Sequence, residues 1–243
     1  METKEIDRIA VVTAHPDDLM PCFGTIMLSR GLFEWHVIDF THGERGLGEA
    51  GYRDGSTART RMAEEDAVCT ALGAKHYWLD EIDGEAYACR ETCRRLAALL
   101  SDIQPRAVFA HWPVDIHGDH AMAGIATLKA VFLAGLSPEI YFFEEYQSKR
   151  FQPDQFVDIT DVAERKRELI KLYACQYFGG ELERVEVGLT RANGLRSALL
   201  SGDAEGFMTF VQPLQGHGPT IFQRLPPSNR ATRLPLQGTK PHV

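Results

Sequence analysis

Two short polar motifs contain the residue types best suited to chemistry, and each follows an apolar run. The first motif, AHPDD at positions 14–18, comes directly after the apolar residues 9–12. His15 and Asp18 offer one nitrogen and one oxygen ligand to a divalent transition metal. Asp17 lies between them, so one carboxylate can bind metal while its neighbour handles a proton. Alone, this spacing also fits a turn with a helix-capping aspartate.

The second motif favours a functional site over a purely structural turn. It is HGDH at positions 117–120, and it follows the apolar run 107–110 and the loop 112–116. Two histidines three apart, with an aspartate between them, add a third metal ligand and a hydrogen-bonded imidazole. Together the motifs contain two histidines and a carboxylate for a metal, a free carboxylate and a free histidine. This is the set of groups that a metal-assisted hydrolase requires.

The elements around the motifs predict an α/β fold. Both apolar runs have the length and composition of buried strands, and helical periodicity alternates with further strand-like runs. We therefore expect a single-domain, Rossmann-like three-layer sandwich with a mostly parallel sheet and the metal site at the carboxyl edge of the strands. The predicted strands are 35–40, 76–79, 140–143 and 156–160, and the predicted helices are 21–30, 58–72, 88–103, 119–134 and 161–175. A long glycine-rich loop is expected over 43–55, and another helical stretch between 188 and 210.

The composition indicates an ordinary soluble enzyme-sized chain. Its 243 residues, 44% of them apolar, suffice for one large domain, which we place at 1–225 with a flexible tail at 226–243. A net charge of -8 argues against a nucleic-acid partner. The N-terminus has no secretory signal pattern and no run is long enough to cross a membrane, so we expect a cytoplasmic protein. A homo-oligomer is left open.

With these motifs in place, the chain resembles the PIG-L/LmbE-like deacetylase family. The resemblance is carried by AHPDD, by THGE at 41–44, by Arg61-x-x-Glu64 before Leu72-Gly73, and by HGDH where the family more often has HPDH. It runs in order from about Ile6 to about Phe210. The family includes zinc-dependent enzymes that remove acetyl from N-acetylglucosaminyl groups, among them those of mycothiol and bacillithiol synthesis. The resemblance implies a small-molecule N-acetylated sugar or glycoconjugate as substrate.

The resemblance also implies roles for the residues of the two motifs. His15, Asp18 and His120 are predicted to bind one divalent metal, Zn²⁺ in the first place with Fe²⁺ as the alternative. Asp17 is predicted to be the general base. His117, oriented by Asp119, would either stabilise the negative oxygen of the intermediate or protonate the leaving amine. Glycine at position 118 loosens the turn that aims His117.

The resemblance implies substrate contacts for three further residues, and each of them also has a plainer structural alternative. Glu44 would take a substrate hydroxyl or position its loop. Arg61 would reach the sugar hydroxyls or form a surface pair with Glu64. Asp83 would contact the sugar or only make a turn with Gly84.

Other functions remain open from the sequence. Two histidines and a carboxylate are also the facial triad of non-haem iron oxygenases, although those sites rarely occur in chains that alternate strands and helices. A catalytically idle protein could keep the pocket to bind an acetylated sugar. An amidase could act on an amide without a hexosamine.

Overall fold

The sheet that carries both motifs has a parallel half built from the first five strands. The computed structural model describes residues 6–197, 202–211 and 218–231. Strands β1 to β5 pair in parallel in the order β3-β2-β1-β4-β5. They comprise Asp7–Thr13 (β1), Phe33–Thr41 (β2), Lys75–Glu81 (β3), Ala107–His111 (β4) and Glu139–Phe143 (β5). The predicted mostly parallel α/β sheet is confirmed.

An antiparallel extension completes the sheet beyond β5. Strand β7 (Ala204–Val211) pairs with β5, β6 (Gln155–Asp158) pairs with β7, and the two-residue β8 (Arg230–Ala231) pairs with β6. The helical stretch expected between 188 and 210 is the second half of the helix Glu181–Arg196, and the end of that segment is strand β7, which the sequence did not predict. That segment lies antiparallel between two strands whose free edges it covers, and such pairing overrides a weak local pattern.

Helices cover both faces of the sheet and make it a three-layer sandwich. Alternate residues of β1 point to opposite faces, so Ile9 and Val11 enter one buried core and Ala10 and Val12 the other. Helices α4 and α5 cover the second core, while α1, α3, α6 and α8 pack on the first. The helices are α1 (Phe23–Leu28), α2 (Glu49–Asp54), α3 (Ser56–Leu72), α4 (Arg90–Ile103), α5 (Gly118–Leu133), α6 (Ala163–Ile170), α7 (Glu181–Arg196) and α8 (Ile221–Arg224).

Three local predictions differ from the structure. The expected loop at 43–55 contains α2, which begins after Gly48 and ends at Gly55, both at positive φ. The helix expected at 161–175 is only α6, because the chain continues into short 3₁₀ turns. Within the expected tail, residues 227–231 form a 3₁₀ turn and β8, and residues 232–243 lie outside the described residues. The domain boundary at 225 stays a prediction.

No helix in the described part of the chain is both long and apolar enough to span a membrane.

A buried ion cluster ties the antiparallel half to the helices. Lys166 of α6 is 2% exposed and its Nζ lies 2.7 Å from carboxylate oxygens of both Glu186 and Glu205. Glu205 also accepts the backbone N–H groups of Gly24 and Thr25, at 2.7 and 2.8 Å. One cation therefore holds together α6, α7, β7 and the start of α1.

We expect Lys166→Ala to lower the free energy of unfolding by about 3–5 kcal/mol, because it leaves two buried carboxylates without a cation. The adjacent Arg165→Ala is a matched control, since Arg165 is an exposed residue whose pair with Glu168 is worth less than about 1 kcal/mol. Urea unfolding of both variants measures the difference. Equal stabilities would show that the cluster does not hold these elements together.

Candidate metal centre and active site

The two motifs meet because the strands before them are neighbours in the sheet. Strands β1 and β4 pair in parallel, with Val12 opposite Ala110. The residues that follow them therefore leave the same carboxyl edge side by side. Within this edge, the backbone N–H of Ala14 donates to Nε2 of His111 at 3.1 Å, which fixes the first motif to the end of β4.

Asp18 is the centre of the cluster. Its carboxylate lies 3.2 Å from Nδ1 of His15, 3.2 Å from Nε2 of His111 and 3.4 Å from Nε2 of His120. It also accepts the backbone N–H of His15 at 2.8 Å. All four side chains are buried. The predicted ligands His15, Asp18 and His120 are thus brought together, with His111 as an addition.

The outer nitrogens of two imidazoles face further carboxylates. Nε2 of His15 lies 3.1 Å from Asp119 and 3.3 Å from Asp83, and Nδ1 of His120 lies 3.5 Å from Asp115. A carboxylate on one ring nitrogen favours the proton there and leaves a lone pair on the other nitrogen. Nδ1 of His15 and Nε2 of His120, which both face Asp18, are therefore the nitrogens that could bind a metal ion in place of a proton.

Three groups of potential ligand atoms lie in this part of the described chain. Within each group, the atoms lie within 4.8 Å of one another. One contains His15, His117 and His120, another contains Asp18, His111 and His120, and a third contains His15 with Asp83 and Asp119. His111 is an unsuitable ligand, because its Nε2 lone pair already accepts the N–H of Ala14. The cluster is a possible divalent metal site centred on His15 and His120.

The carboxylates around the cluster favour a positive charge within it. Burial by itself would lower the pKa of His120. The carboxylates of Asp18 and Asp115 have the larger effect and raise this pKa to about 9. His15 shows the same balance, with its pKa raised by Asp119, Asp18 and Asp83 against burial. A divalent cation supplies the same compensation without protonating the imidazoles.

Asp17 is held beside the cluster in a strained conformation. Its φ is 90°, in the left-handed region that non-glycine residues seldom adopt. Its backbone N–H donates to Glu65 at 3.2 Å, and its carboxylate accepts from Arg61 at 2.9 Å. Burial raises the pKa of Asp17 to about 6, although the charge of Arg61 opposes this shift. The geometry keeps one carboxylate available next to the possible metal ligands.

The hydrogen bonds of Asp119 are made with partners other than the expected His117, and the orienting role of Asp119 stays a prediction. Asp119 accepts the backbone N–H of Gly84 at 2.6 Å and lies against His15. The buried Nδ1 of His117 has no hydrogen-bond partner among the described residues. Burial and the charges of His15 and His120 lower the pKa of His117, which favours the neutral ring.

A cavity of about 550 Å³ opens over the cluster and contains two of the three predicted substrate residues. Arg61 and Asp83 line it, but Arg61 is buried against Asp17 and does not pair with Glu64. Glu44 lies outside the lining, and its carboxylate accepts the backbone N–H of Asp83 at 3.0 Å. Its contact is therefore with the loop that presents Asp83.

Sequence reasoning did not assign roles to His111, Asp115 or Glu65. His111 ends β4 at the carboxyl edge, so the positional rule that selected His15 also applied to it. Asp115 lies within the loop before HGDH, where no local sequence pattern indicated a role. Glu65 is one residue from Glu64 on α3, and only packing decides which of the two faces inward.

A further group of possible ligands lies behind Asp17 and outside the lining of the cavity. His76, Cys69 and Glu65 could supply three ligands by distance. Both nitrogens of His76 are already engaged, at 2.7 Å from Asp39 and at 2.7 Å from Asp66. These carboxylates outweigh burial and raise the pKa of His76 to about 9.

The fold and this site define a class of protein, an α/β enzyme with a possible metal centre at the carboxyl edge of its sheet. The sequence family PIG-L, described as GlcNAc-PI de-N-acetylase, matches residues 10–131, which include both motifs. The chain belongs to this deacetylase family.

The proteins similar to this chain have two different activities. The 4-oxalmesaconate hydratase of Pseudomonas putida is 29% identical over 187 residues, which cover 68% of this chain and 72% of that protein. The diacetylchitobiose deacetylase of Thermococcus kodakarensis is 27% identical over 191 residues, covering 71% of each. The solved N,N'-diacetylchitobiose deacetylase from Pyrococcus horikoshii superposes with a TM-score of 0.71 at 26% identity, covering 91% of this chain and 89% of that one.

The buried Glu65 predicts a pH dependence of stability. Burial and the charge of Asp39 raise the pKa of Glu65 to about 8, whereas an unfolded glutamate ionises near about 4.3. The folded state thus holds a proton that the unfolded state has lost, and stability falls as the pH rises between these values. We expect the stability of Glu65→Gln relative to the wild type to increase from pH 5 to pH 8. Denaturant unfolding at both values measures it, and a constant difference would contradict this charge state.

Proposed function

We propose that this protein is a metal-dependent hydrolase that removes acetyl from an N-acetylated sugar or glycoconjugate. One observation carries the proposal. His15, Asp18 and His120 converge at the floor of a cavity with Asp17 beside them. The opposite nitrogens of both histidines face carboxylates that orient their lone pairs inward.

His15, Asp18 and His120 would hold the ion, with Zn²⁺ preferred and Fe²⁺ as the alternative. When bound, such an ion lowers the pKa of water toward about 7 and polarises an amide carbonyl. The buried donors and their negative surroundings fit a divalent cation. A ring nitrogen of His117 also lies within 4.8 Å of ring nitrogens of His15 and His120.

Asp17 would accept the proton of the attacking water. A base works best when its pKa lies near the working pH, and burial moves Asp17 in that direction. Arg61 donates a hydrogen bond to Oδ1 of Asp17 and so orients this carboxylate in the cavity wall. The other carboxylate oxygen of Asp17 does not take part in that bond. Glu65 supports the strained backbone from behind.

His117 would act on the opposite side of the reacting carbon. Its ring lies 4.7 Å from that of His15 and lines the cavity. A neutral imidazole can donate a hydrogen bond to the developing oxyanion, and after gaining a proton it can release that proton to the departing amine. Asp119 would contribute indirectly by orienting His15.

Arg61, Asp83 and Glu44 are proposed to shape the sugar site. Asp83 offers a carboxylate on the cavity wall, and Glu44 holds the loop that presents it. Arg61 would act mainly through Asp17, because its guanidinium is already paired there.

The hydratase relative suggests a second use for an activated water, and the cavity charges weigh against it. A substrate such as 4-oxalmesaconate is anionic and needs cationic partners. Six acidic residues and two arginines line the cavity among the described residues. Arg61 is paired with Asp17, and Arg45 with Glu85. This charge pattern favours a neutral substrate or an amine product over a polycarboxylate.

The central test is release of free amine from a panel of N-acetylglucosaminyl compounds by metal-stripped, zinc-loaded and iron-loaded protein. We expect release only with metal, and we expect Asp17→Asn to lower kcat by about 10²–10⁴-fold at unchanged metal content. Near-normal turnover of Asp17→Asn would refute the base assignment.

The same assay separates the alternative functions. Hydration of 4-oxalmesaconate in place of amine release would identify a hydratase. Release from other amides alone would identify a non-hexosamine amidase, and tight sugar binding without turnover would identify an idle binding protein.

The ligand assignment has its own test, which does not use activity. We expect His15→Ala and His120→Ala each to lose most of the zinc that the wild type binds, because each removes one of three protein ligands. His42→Ala is the control, since His42 binds Asp80 away from the cluster. Metal content after dialysis is measured by mass spectrometry, and full occupancy in either site variant would exclude that residue as a ligand.

A further inference from the structure

Three side chains between α3 and the sheet form a polar group that we call the Cys69 cluster. Glu65 and Cys69 lie one turn apart on α3, and His76 lies on β3. Glu65 is fully buried, Cys69 is 2% exposed, and the side chain of His76 is 8% exposed. One potential ligand atom from each residue lies within 4.8 Å of the other two. The proposed hydrolysis involves only Glu65, through its bond with the backbone N–H of Asp17.

Asp39 of β2 adds a second carboxylate beside the Cys69 cluster. Alternate residues of a strand point to the same face, so Asp39 lies on the face of β2 that carries Trp35 and Val37. Both of those residues belong to the first core, and Asp39 continues their row as a fully buried carboxylate. Its Oδ2 lies 2.7 Å from Nε2 of His76. A carboxylate in such a place requires a positive partner, and either a protonated histidine or a metal ion can serve.

The two carboxylates are each held from behind by a hydroxyl. Oε2 of Glu65 accepts a hydrogen bond from Tyr173 at 2.8 Å, while Oε1 lies 3.6 Å from Sγ of Cys69. Oδ1 of Asp39 accepts the hydroxyl of Thr13, while Oδ2 faces the cluster. One oxygen of each carboxylate is therefore fixed by the protein, and the other points toward the remaining potential ligands.

His76 has the outer partner that is typical of a metal-binding histidine. Its Nδ1 lies 2.7 Å from the carboxylate of Asp66 on α3, and its Nε2 faces Asp39. Histidines that bind metals commonly donate their other ring N–H to a carboxylate, which fixes the ring and its tautomer. An ion bound at Nε2 would take the place of a proton on that nitrogen.

The four potential donors favour a particular kind of ion. Mg²⁺ and Ca²⁺ bind oxygen donors, so a thiol and an imidazole weigh against both. A set of one sulfur, one nitrogen and two oxygens suits Zn²⁺. A thiolate and two carboxylates exceed the charge of a divalent ion by a single negative charge. The same balance occurs in structural zinc sites of three cysteines and one histidine.

We propose that the Cys69 cluster and Asp39 form a second zinc site, separate from the active site and hidden between α3 and the sheet. The donor atoms are Oδ2 of Asp39, Oε1 of Glu65, Sγ of Cys69 and Nε2 of His76. Four protein donors leave no position for water or substrate, so this ion is structural. It joins α3 to β2 and β3, and it fixes Glu65, which holds the backbone of Asp17.

An ion that enters this site has to displace protons. Burial raises the pKa of the Cys69 thiol, and burial and the charge of Asp39 raise the pKa of Glu65 to about 8. The close pair between His76 and Asp39 must also open, whereas Asp18 already lies 3.2 and 3.4 Å from its imidazoles. We therefore expect zinc to bind here more weakly than in the active site and to be lost first on dialysis. The pH dependence of stability expected from Glu65 applies to the protein without this ion.

Excess cobalt(II) tests the site in the wild-type protein without any substitution. A thiolate bound to this ion gives a charge-transfer absorption band in the near ultraviolet, and the proposed active site has no sulfur donor. We expect the wild type to show this band. His120→Ala should keep the band, and Cys69→Ser should lose it while retaining the active-site ion. Cys93→Ser is the matched control and should keep the band, because Cys93 is a buried cysteine of the other core.

Thermal unfolding gives a second measurement. In His120→Ala, which is expected to lack the active-site ion, excess zinc should raise the Tm by several degrees, because the ion binds only the folded state. An added His76→Gln change should remove this rise. A wild type without the band, a band that persists in Cys69→Ser, or a Tm that zinc does not raise overturns the site. If the band belongs to the only bound ion and disappears in Cys69→Ser, the result supports this site and overturns the proposed active-site ion.

Discussion

The site depends on the contacts that the carboxylate of Asp18 makes with three histidines. It joins His15 from its own motif to His120 from the other, and His111 closes the contact from the end of β4. A buried carboxylate is stable only when positive charge or hydrogen bonds surround it. The parallel pairing of β1 with β4 supplies both, because it places these imidazoles within reach of one carboxylate at the edge of the sheet.

An excess of buried carboxylates extends outward from this centre into the cavity. Asp83, Asp115 and Asp119 face the outer nitrogens of the histidines, and they make the cluster strongly receptive to a cation. The same acidity continues along the cavity to Glu145. A bound divalent ion would offset the charge of its own ligands, and the acidic residues farther along the cavity favour a neutral substrate over a polycarboxylate.

The parallel half of the fold could be predicted because its signals are local. Buried strands such as β1 and β4 are continuous apolar runs, and helices such as α4 carry a regular apolar stripe. Strand β7 could not be found in this way, because its place between β5 and β6 depends on pairing with residues far along the chain. Helix α2 lies in a glycine-rich segment, where intrinsic propensity is weak and contacts with α3 decide.

The sequence by itself determined which residues are available for chemistry, since the spacing in AHPDD and HGDH places histidines and carboxylates on short turns after strands. Only the tertiary structure decided how they are used. Asp119 hydrogen-bonds to His15, which is 104 residues away, and not to His117, which is two residues away. Glu65, and not Glu64, supports Asp17. Such partners are chosen by strand order and helix packing, and a local spacing contains no information about either.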